Sequence, residues 1–321
     1  MLVLTEIKKI FFSTDIHGSE VCFKKFLNAG KFYGVDILIL GGDITGKLMI
    51  AFTEQPDGNY KAFYLGSENI VKRNDLEKTE KMLRDSGAYT FRTTPSEYEE
   101  LNADPVKSEK LFRELMMRRL KEWLALAEER LKDSGIPMYM TGGNDDPYEI
   151  EEIIRGSSYV KDPEGDVVTI GDYELASTGY SNITPWHCPR DISEEEMGKK
   201  IDQMVQKVSN FNKCIFNFHT PPYDTPIDLA PELTENLTPV LSRAGGFNMI
   251  HVGSKSVRAA IEKYQPFLGL HGHIHESRAY INIRKTVCVN PGSEYGEGVL
   301  RGALITPKKK GGIENPEFTY G

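Results

Sequence analysis

Cysteine is scarce in this sequence. Its 321 residues hold four, Cys22, Cys188, Cys214 and Cys288, and none forms a Cys-x-x-Cys pair. That pattern speaks against a disulfide framework and for reduced thiols acting as small buried hydrophobes. Long apolar runs are also missing: no stretch approaches the 18 residues of a membrane-spanning helix. The N-terminus, MLVLTEIKKIFFSTD, has no basic start, no long apolar segment and no small-residue cleavage site. Together these absences predict a cytoplasmic protein with no membrane partner. Positive charge is outnumbered, with 39 Lys and Arg against 47 Asp and Glu, a net −8. A surface that grips bulk nucleic acid needs clustered cations, so such binding is not expected. No internal repeat, low-complexity linker or aromatic-interleaved basic stripe is present.

What is present suits a globular α/β chain, with 39% hydrophobic and 27% charged residues. Short apolar runs recur, and each stops abruptly at polar residues. Ile10 to Ser13 precedes Thr14-Asp15-Ile16-His17-Gly18. Asp36 to Leu40 precedes Gly41-Gly42-Asp43. Ile136 to Met140 precedes Gly142-Gly143-Asn144-Asp145. Cys214 to Phe218 precedes His219-Thr220, and Pro266 to Leu270 leads into His271-Gly272-His273-Ile274-His275. Runs of this length and composition read as buried strands. Their polar residues would fall at the strands' carboxyl ends, where open α/β sheets place ligand sites. Helical segments between them imply a central sheet covered by helices.

Those helices are legible in part. Ser19 to Ala29 predicts a first helix ending near Gly30. Lys107 to Asp133 carries apolar residues at helical spacing and stops at Gly135 and Pro137. Ser193 and Glu196 have capping-box spacing and predict a helix through Val208. The segment from about Lys47 to Asn102 reads as an insertion within one domain spanning 1–321. Asp57-Gly58 suggests a hairpin turn there, Leu76 to Arg84 a helix, and Thr94-Pro95-Ser96-Glu97 a helix start. Val299 to Thr306 and Glu317 to Tyr320 read as strands flanking a turn at 308–312.

The chemistry-bearing residues are Asp15, His17, Asp43, Asn144, His219, His273 and His275, drawn from five strand ends. A carboxylate and imidazole mixture suits Mn, Fe, Zn or Ni better than Ca, and one bridging Asp would divide the set into two adjoining sites. The blocks Asp15-x-His17, Gly42-Asp43, Gly143-Asn144-Asp145, His219 and Gly272-His273-x-His275 occur in the order of the calcineurin-like metallophosphoesterase motifs, and the chain resembles that family from residue 15 to 275. The resemblance implies a four-layer αββα sandwich, two mixed sheets face to face between helical layers. It also implies a first metal on Asp15, His17 and His275, a second on Asn144, His219 and His273, and Asp43 as the bridge. The cofactors would be two divalent transition-metal ions, manganese first, with iron, nickel or zinc as alternatives. A metal-bridging hydroxide would attack phosphorus in a small phosphate-ester substrate.

One position departs from the pattern. In many relatives a His follows the Asn and helps protonate the leaving group; here Asp145 stands there. A carboxylate serves as a general acid only with a raised pKa. Asp145 is thus one catalytic candidate, with a positioning role as its rival. His251, in His251-Val252-Gly253-Ser254, is the other, against an ordinary structural role. His271 reads as structural. Trp186-His187-Cys188-Pro189-Arg190 reads as a surface loop without metal, from which Arg190 could contact a substrate phosphate. The sequence at Gly42-Asp43-Ile44-Thr45-Gly46-Lys47 lacks the Asp-Arg-Gly run of serine/threonine protein phosphatases. Phosphomonoesters and phosphodiesters both remain, with a slight lean to diesters because Asp145 replaces the His. The alternatives are a non-catalytic protein-interaction scaffold on the same fold and a nuclease subunit. The oligomeric state is not readable.

Overall fold

The computed structural model describes residues 6, 8–243, 245–308 and 311–321. Most of the first seven residues, read above for a leader, therefore lie outside the described residues, as do 309 and 310 of the turn at 308–312. Two sheets form the centre. The first has five strands in the order Glu317–Tyr320, Arg301–Ile305, Ile10–Ser13, Ile37–Leu40 and Met138–Met140. Ile10 pairs with Ile37 in parallel and with Ile305 antiparallel. The second has six, in the order Ala279–Ile283, Thr286–Asn290, Leu268–Leu270, Cys214–Phe218, Tyr173–Thr178 and Val167–Ile170, antiparallel only at its two edges.

Strand alternation assigns the buried apolar side chains of these two sheets to three interfaces. Ile10, Phe12, Ile37, Ile39, Ala303 and Ile305 face across to Leu175, Ile215, Leu268, Leu270 and Val289 of the second sheet. Phe11, Leu38 and Leu40 point the other way, onto helices Glu20–Tyr33 and Pro105–Leu131. Ala176, Cys214, Phe216, Phe218 and Cys288 bury the outer face of the second sheet against helices Glu194–Val205 and Lys255–Tyr264. The result is helix, sheet, sheet, helix. The runs that local pattern alone would place in one central sheet are split between two: three open the first sheet, and Cys214–Phe218 and Leu268–Leu270 belong to the second.

The first helix runs past its expected end. Gly30 lies within it, and Gly34, at φ +60°, is the left-handed residue that caps it. The capping boxes at Ser193/Glu196 and Thr94/Glu97 both form. The helix opened by Ser193 stops at Val205, short of the expected Val208. The segment read as an insertion builds its own four-stranded sheet, Ser67–Val71, Tyr60–Tyr64, Met49–Glu54 and Tyr89–Thr93, with a small core of Ile50, Phe52, Leu76 and Leu83. Among the described residues no helix is long and apolar enough to cross a membrane.

Candidate metal centre

The turns that follow the strands carry the donors. Asp15 and His17 follow Ile10–Ser13, Asp43 follows Ile37–Leu40, and Asn144 follows Met138–Met140. From the second sheet, His219 follows Cys214–Phe218, and His273 and His275 follow Leu268–Leu270. Four of these residues sit at positive φ: Asp15 at 53°, His17 at 37°, Asp43 at 47° and His273 at 69°. Side-chain-bearing residues seldom occupy that region, and when they do the strain often marks a working site.

Two groups of donor atoms converge, each within 4.8 Å: Asp15, His17 and His275, and Asp43, His219 and His273. His17 Nε2 lies 3.6 Å from Asp43 Oδ2, and His219 Nε2 lies 3.4 Å from the same oxygen, so Asp43 stands between the groups. His275 Nε2 is 3.4 Å from Asp15 Oδ1. His17 Nε2 and His275 Nε2 face each other at 3.1 Å. Nearly all of this is buried, yet Asn144 Oδ1 and His219 Nε2 have no hydrogen-bond partner. Buried polar atoms are rarely left so. Converging acceptors with orphaned members fit a pair of cations, and the mixed nitrogen and oxygen set fits transition metals.

Neighbouring residues fix the donors in place. Asp191 accepts from Asn144 Nδ2 at 3.0 Å, which turns the amide oxygen away as the free donor. His219 Nδ1 meets the Gly41 carbonyl at 3.2 Å, and the His273 backbone donates to Asp15. Buried Asp146 accepts from Ile44 N, Thr45 N, Thr45 Oγ1 and Gly143 N, pinning the Asp43 and Asn144 turns to each other. Within the cluster the electrostatics are mutual. Burial pushes the Asp15 carboxyl up, but His275 and His219 outweigh it and bring it to about 2. Burial pulls His219 down, but Asp43 and Asp15 outweigh it and raise it to about 9. Burial holds His17 and His273 at about 4.

Asp145 lies at the rim. Its backbone donates to Asp43 Oδ1 at 3.0 Å, and its carboxylate joins His17 and Asp43 in a third close group. One carboxylate oxygen pairs with Lys47, and the other accepts from the Cys188 thiol at 2.7 Å. Sequence reasoning does not single out Lys47, Cys188 or Asp191 as site residues; only the Gly46-Lys47 step so soon after Asp43 hints at the first. His251 contacts Asp228, with Nδ1 2.7 Å from Oδ1, and lies 3.5 Å from Asp224 through Nε2. It is not part of the donor groups. Arg190 is corrected outright. It is fully buried, bonded to the Asp146 and Pro147 carbonyls and to Glu151 at 2.6 Å, so it braces the Asn144 turn and cannot reach a substrate. His271 is structural: buried, its Nδ1 lies 2.8 Å from the Phe218 carbonyl.

No family model matches the chain. Uncharacterized protein MJ1162 of Methanocaldococcus jannaschii is 32% identical over 151 residues, 46% of this chain and 61% of that protein. The match thus spans about three fifths of the length of that curated relative. Among solved structures, TT1561 of Thermus thermophilus superposes with a TM-score of 0.54 at 14% identity, covering 98% of this chain and 99% of its own. A second solved structure matches with a TM-score of 0.53 at 16% identity, covering 97% and 99%. At these identities the likeness to the solved structures is one of fold, and the helix, sheet, sheet, helix layering agrees with the sandwich expected from the sequence.

Proposed function

We propose that the chain hydrolyses phosphate esters with two divalent transition-metal ions, manganese first. Asp15, His17 and His275 would hold one, Asn144, His219 and His273 the other, and Asp43 both. The observation that carries this reading is the convergence of two donor groups on Asp43, with Asn144 Oδ1 and His219 Nε2 buried and unpartnered. The cations, when bound, supply Lewis acidity toward phosphate oxygens and make water a better nucleophile at neutral pH. The chain's own residues do the rest. Asp191 and Gly41 hold Asn144 and His219 in register, and Asp145 holds the Lys47 ammonium beside the cluster. In this reading the chain is one cytoplasmic catalytic domain with about 47–102 inserted. The scaffold alternative is disfavoured because every donor type is present.

The test uses chelator-stripped protein, with Mn²⁺, Ni²⁺, Zn²⁺ or Mg²⁺ restored singly. Hydrolysis of p-nitrophenyl phosphate and bis-p-nitrophenyl phosphate should return with metal, and Asp43→Asn should lower it by about a thousandfold. The ratio of the two rates decides between monoester and diester. No turnover with any metal, despite two cations bound per chain, would favour the scaffold.

His251 is proposed as proton donor to the leaving group, with buried Asp228 orienting its ring. His251→Ala should then slow esters of poor leaving groups at least tenfold more than esters of good ones. An equal loss on both would remove the role.

A further inference from the structure

Lys47 has a second neighbourhood. It lines an open surface groove of about 270 Å³ whose other walls are Met49, Pro105, Ser108, Glu109 and Phe112. Met49 begins the inserted sheet, and the other four lie on helix Pro105–Leu131. The groove therefore lies between the inserted strand and the long helix, and Lys47, which pairs with Asp145, links it to the rim of the donor cluster.

The walls are fixed relative to the cluster. Tyr89, on the inserted strand beside Met49, takes a hydrogen bond from Gly46 N at 2.9 Å and packs edge-on against Phe112 with centroids 5.7 Å apart. Arg119, further along the same helix, donates to the Gly18 and Ala88 carbonyls at 3.0 and 2.9 Å. Gly18 directly follows His17, so these contacts tie the inserted strand and the long helix to the turn that carries His17.

The chemistry of the walls selects an occupant. Met49, Pro105 and Phe112 offer thioether, ring and aromatic surface, which favours a flat unsaturated group. The volume suits a single ring system and is near the lower end for small-molecule sites. Glu109, paired with Arg113 at 2.9 Å, puts a carboxylate on the wall and disfavours a second phosphate beyond the first.

We propose that this groove is the subsite for the organic group of the substrate, and that it takes a neutral aromatic or heteroaromatic ring carried by the alcohol esterified to the phosphate at the metal centre. The proposal rests on the phosphoesterase reading.

Two probes of nearly equal leaving-group basicity test it, ethyl phosphate and 2-phenylethyl phosphate, together with their non-hydrolysable phosphonates, ethylphosphonate and 2-phenylethylphosphonate. With manganese-loaded protein the phenyl compounds should show about tenfold higher kcat/KM, through KM, and about tenfold tighter phosphonate binding by calorimetry. Phe112→Ala, which opens the groove, and Ser108→Phe, which fills it, should each reduce both preferences to threefold or less, with two metals per chain retained. A phosphonate preference below twofold in the native protein, or one untouched by both variants, overturns the subsite. Phosphonate preference as expected but no ester turnover leaves the subsite standing and defeats the hydrolase.

Discussion

The two sheets contribute to the candidate metal centre in different ways. The first supplies both carboxylates, the amide and one imidazole, from tight turns in which Asp15, His17 and Asp43 all adopt positive φ. The second supplies three imidazoles, and only His273 among them is strained in this way. Strain in the first half is sustained by the second: the His219 ring packs on the Gly41-Gly42 turn, and the His273 backbone donates to Asp15. The groups of Asp15, His17 and His275 and of Asp43, His219 and His273 each take members from both sheets, and only the rim group of His17, Asp43 and Asp145 lies wholly on the first. The site is a property of the seam between the sheets.

The sharpest way to break that seam is Gly42→Ala. Gly42 has φ +128°, and a Cβ there would lie 2.3 Å from His219 Nδ1. Conformational strain and the clash should together cost about 4 kcal/mol in urea unfolding and reduce metal bound per chain. Normal stability with two metals bound would show that the halves are less interlocked than described.

Glu164 lies beside the carboxyl end of strand Tyr173–Thr178 in the second sheet. It is buried, accepts from Gly179 N at 2.7 Å, and burial lifts its carboxyl from 4.5 to about 7 despite nearby Arg190. The folded state keeps a proton that the unfolded chain releases. Its contribution is therefore complete below pH 4.5 and is lost as pH rises through 7. Glu164→Gln should flatten the fall, leaving the variant up to about 3 kcal/mol more stable than the parent at pH 8. Parallel stability curves for the two proteins between pH 5 and 8 would contradict this.

The mildest change lies far from the seam. Gly34→Ala meets no atom within 4 Å, so only the left-handed conformation at φ +60° resists it. A loss of about 1 kcal/mol in thermal or urea unfolding is expected, with metal content unchanged. A drop in metal content would mean that the helix end and the metal turns are coupled.

Much of the donor pattern was legible because the donors follow strands that are mostly apolar. Ile10–Ser13, Ile37–Leu40 and Cys214–Phe218 are buried on both faces, so their ends are abrupt in the sequence. Val167–Ile170 lies at a sheet edge and is half exposed, and its mixed pattern gives no comparable signal. Gly30 misled because glycine usually stops a helix; here it sits against Ile136 and Leu38, where a larger side chain would crowd them. Arg190 misled because an Arg in a polar loop looks exposed, whereas Glu151, thirty-nine positions earlier, draws it inside. Lys47, Cys188 and Asp191 gain their roles from residues distant in sequence, such as Asp145 and Asn144. No periodicity records contacts of that kind.

His17 and His275 stand 258 positions apart along the chain and 3.1 Å apart in space. A cation gripped by both therefore acts as a removable cross-link closing one of the longest loops the polymer has. Loop-closure entropy grows with length, so the unfolded chain seldom brings the two rings together and the cation would favour the folded state alone. Each tenfold change in free metal above the dissociation constant moves the folding equilibrium by about 1.4 kcal/mol. The ion that equips the site for chemistry would also tie the start of the chain to its end, and metal supply would set how long the folded molecule lasts.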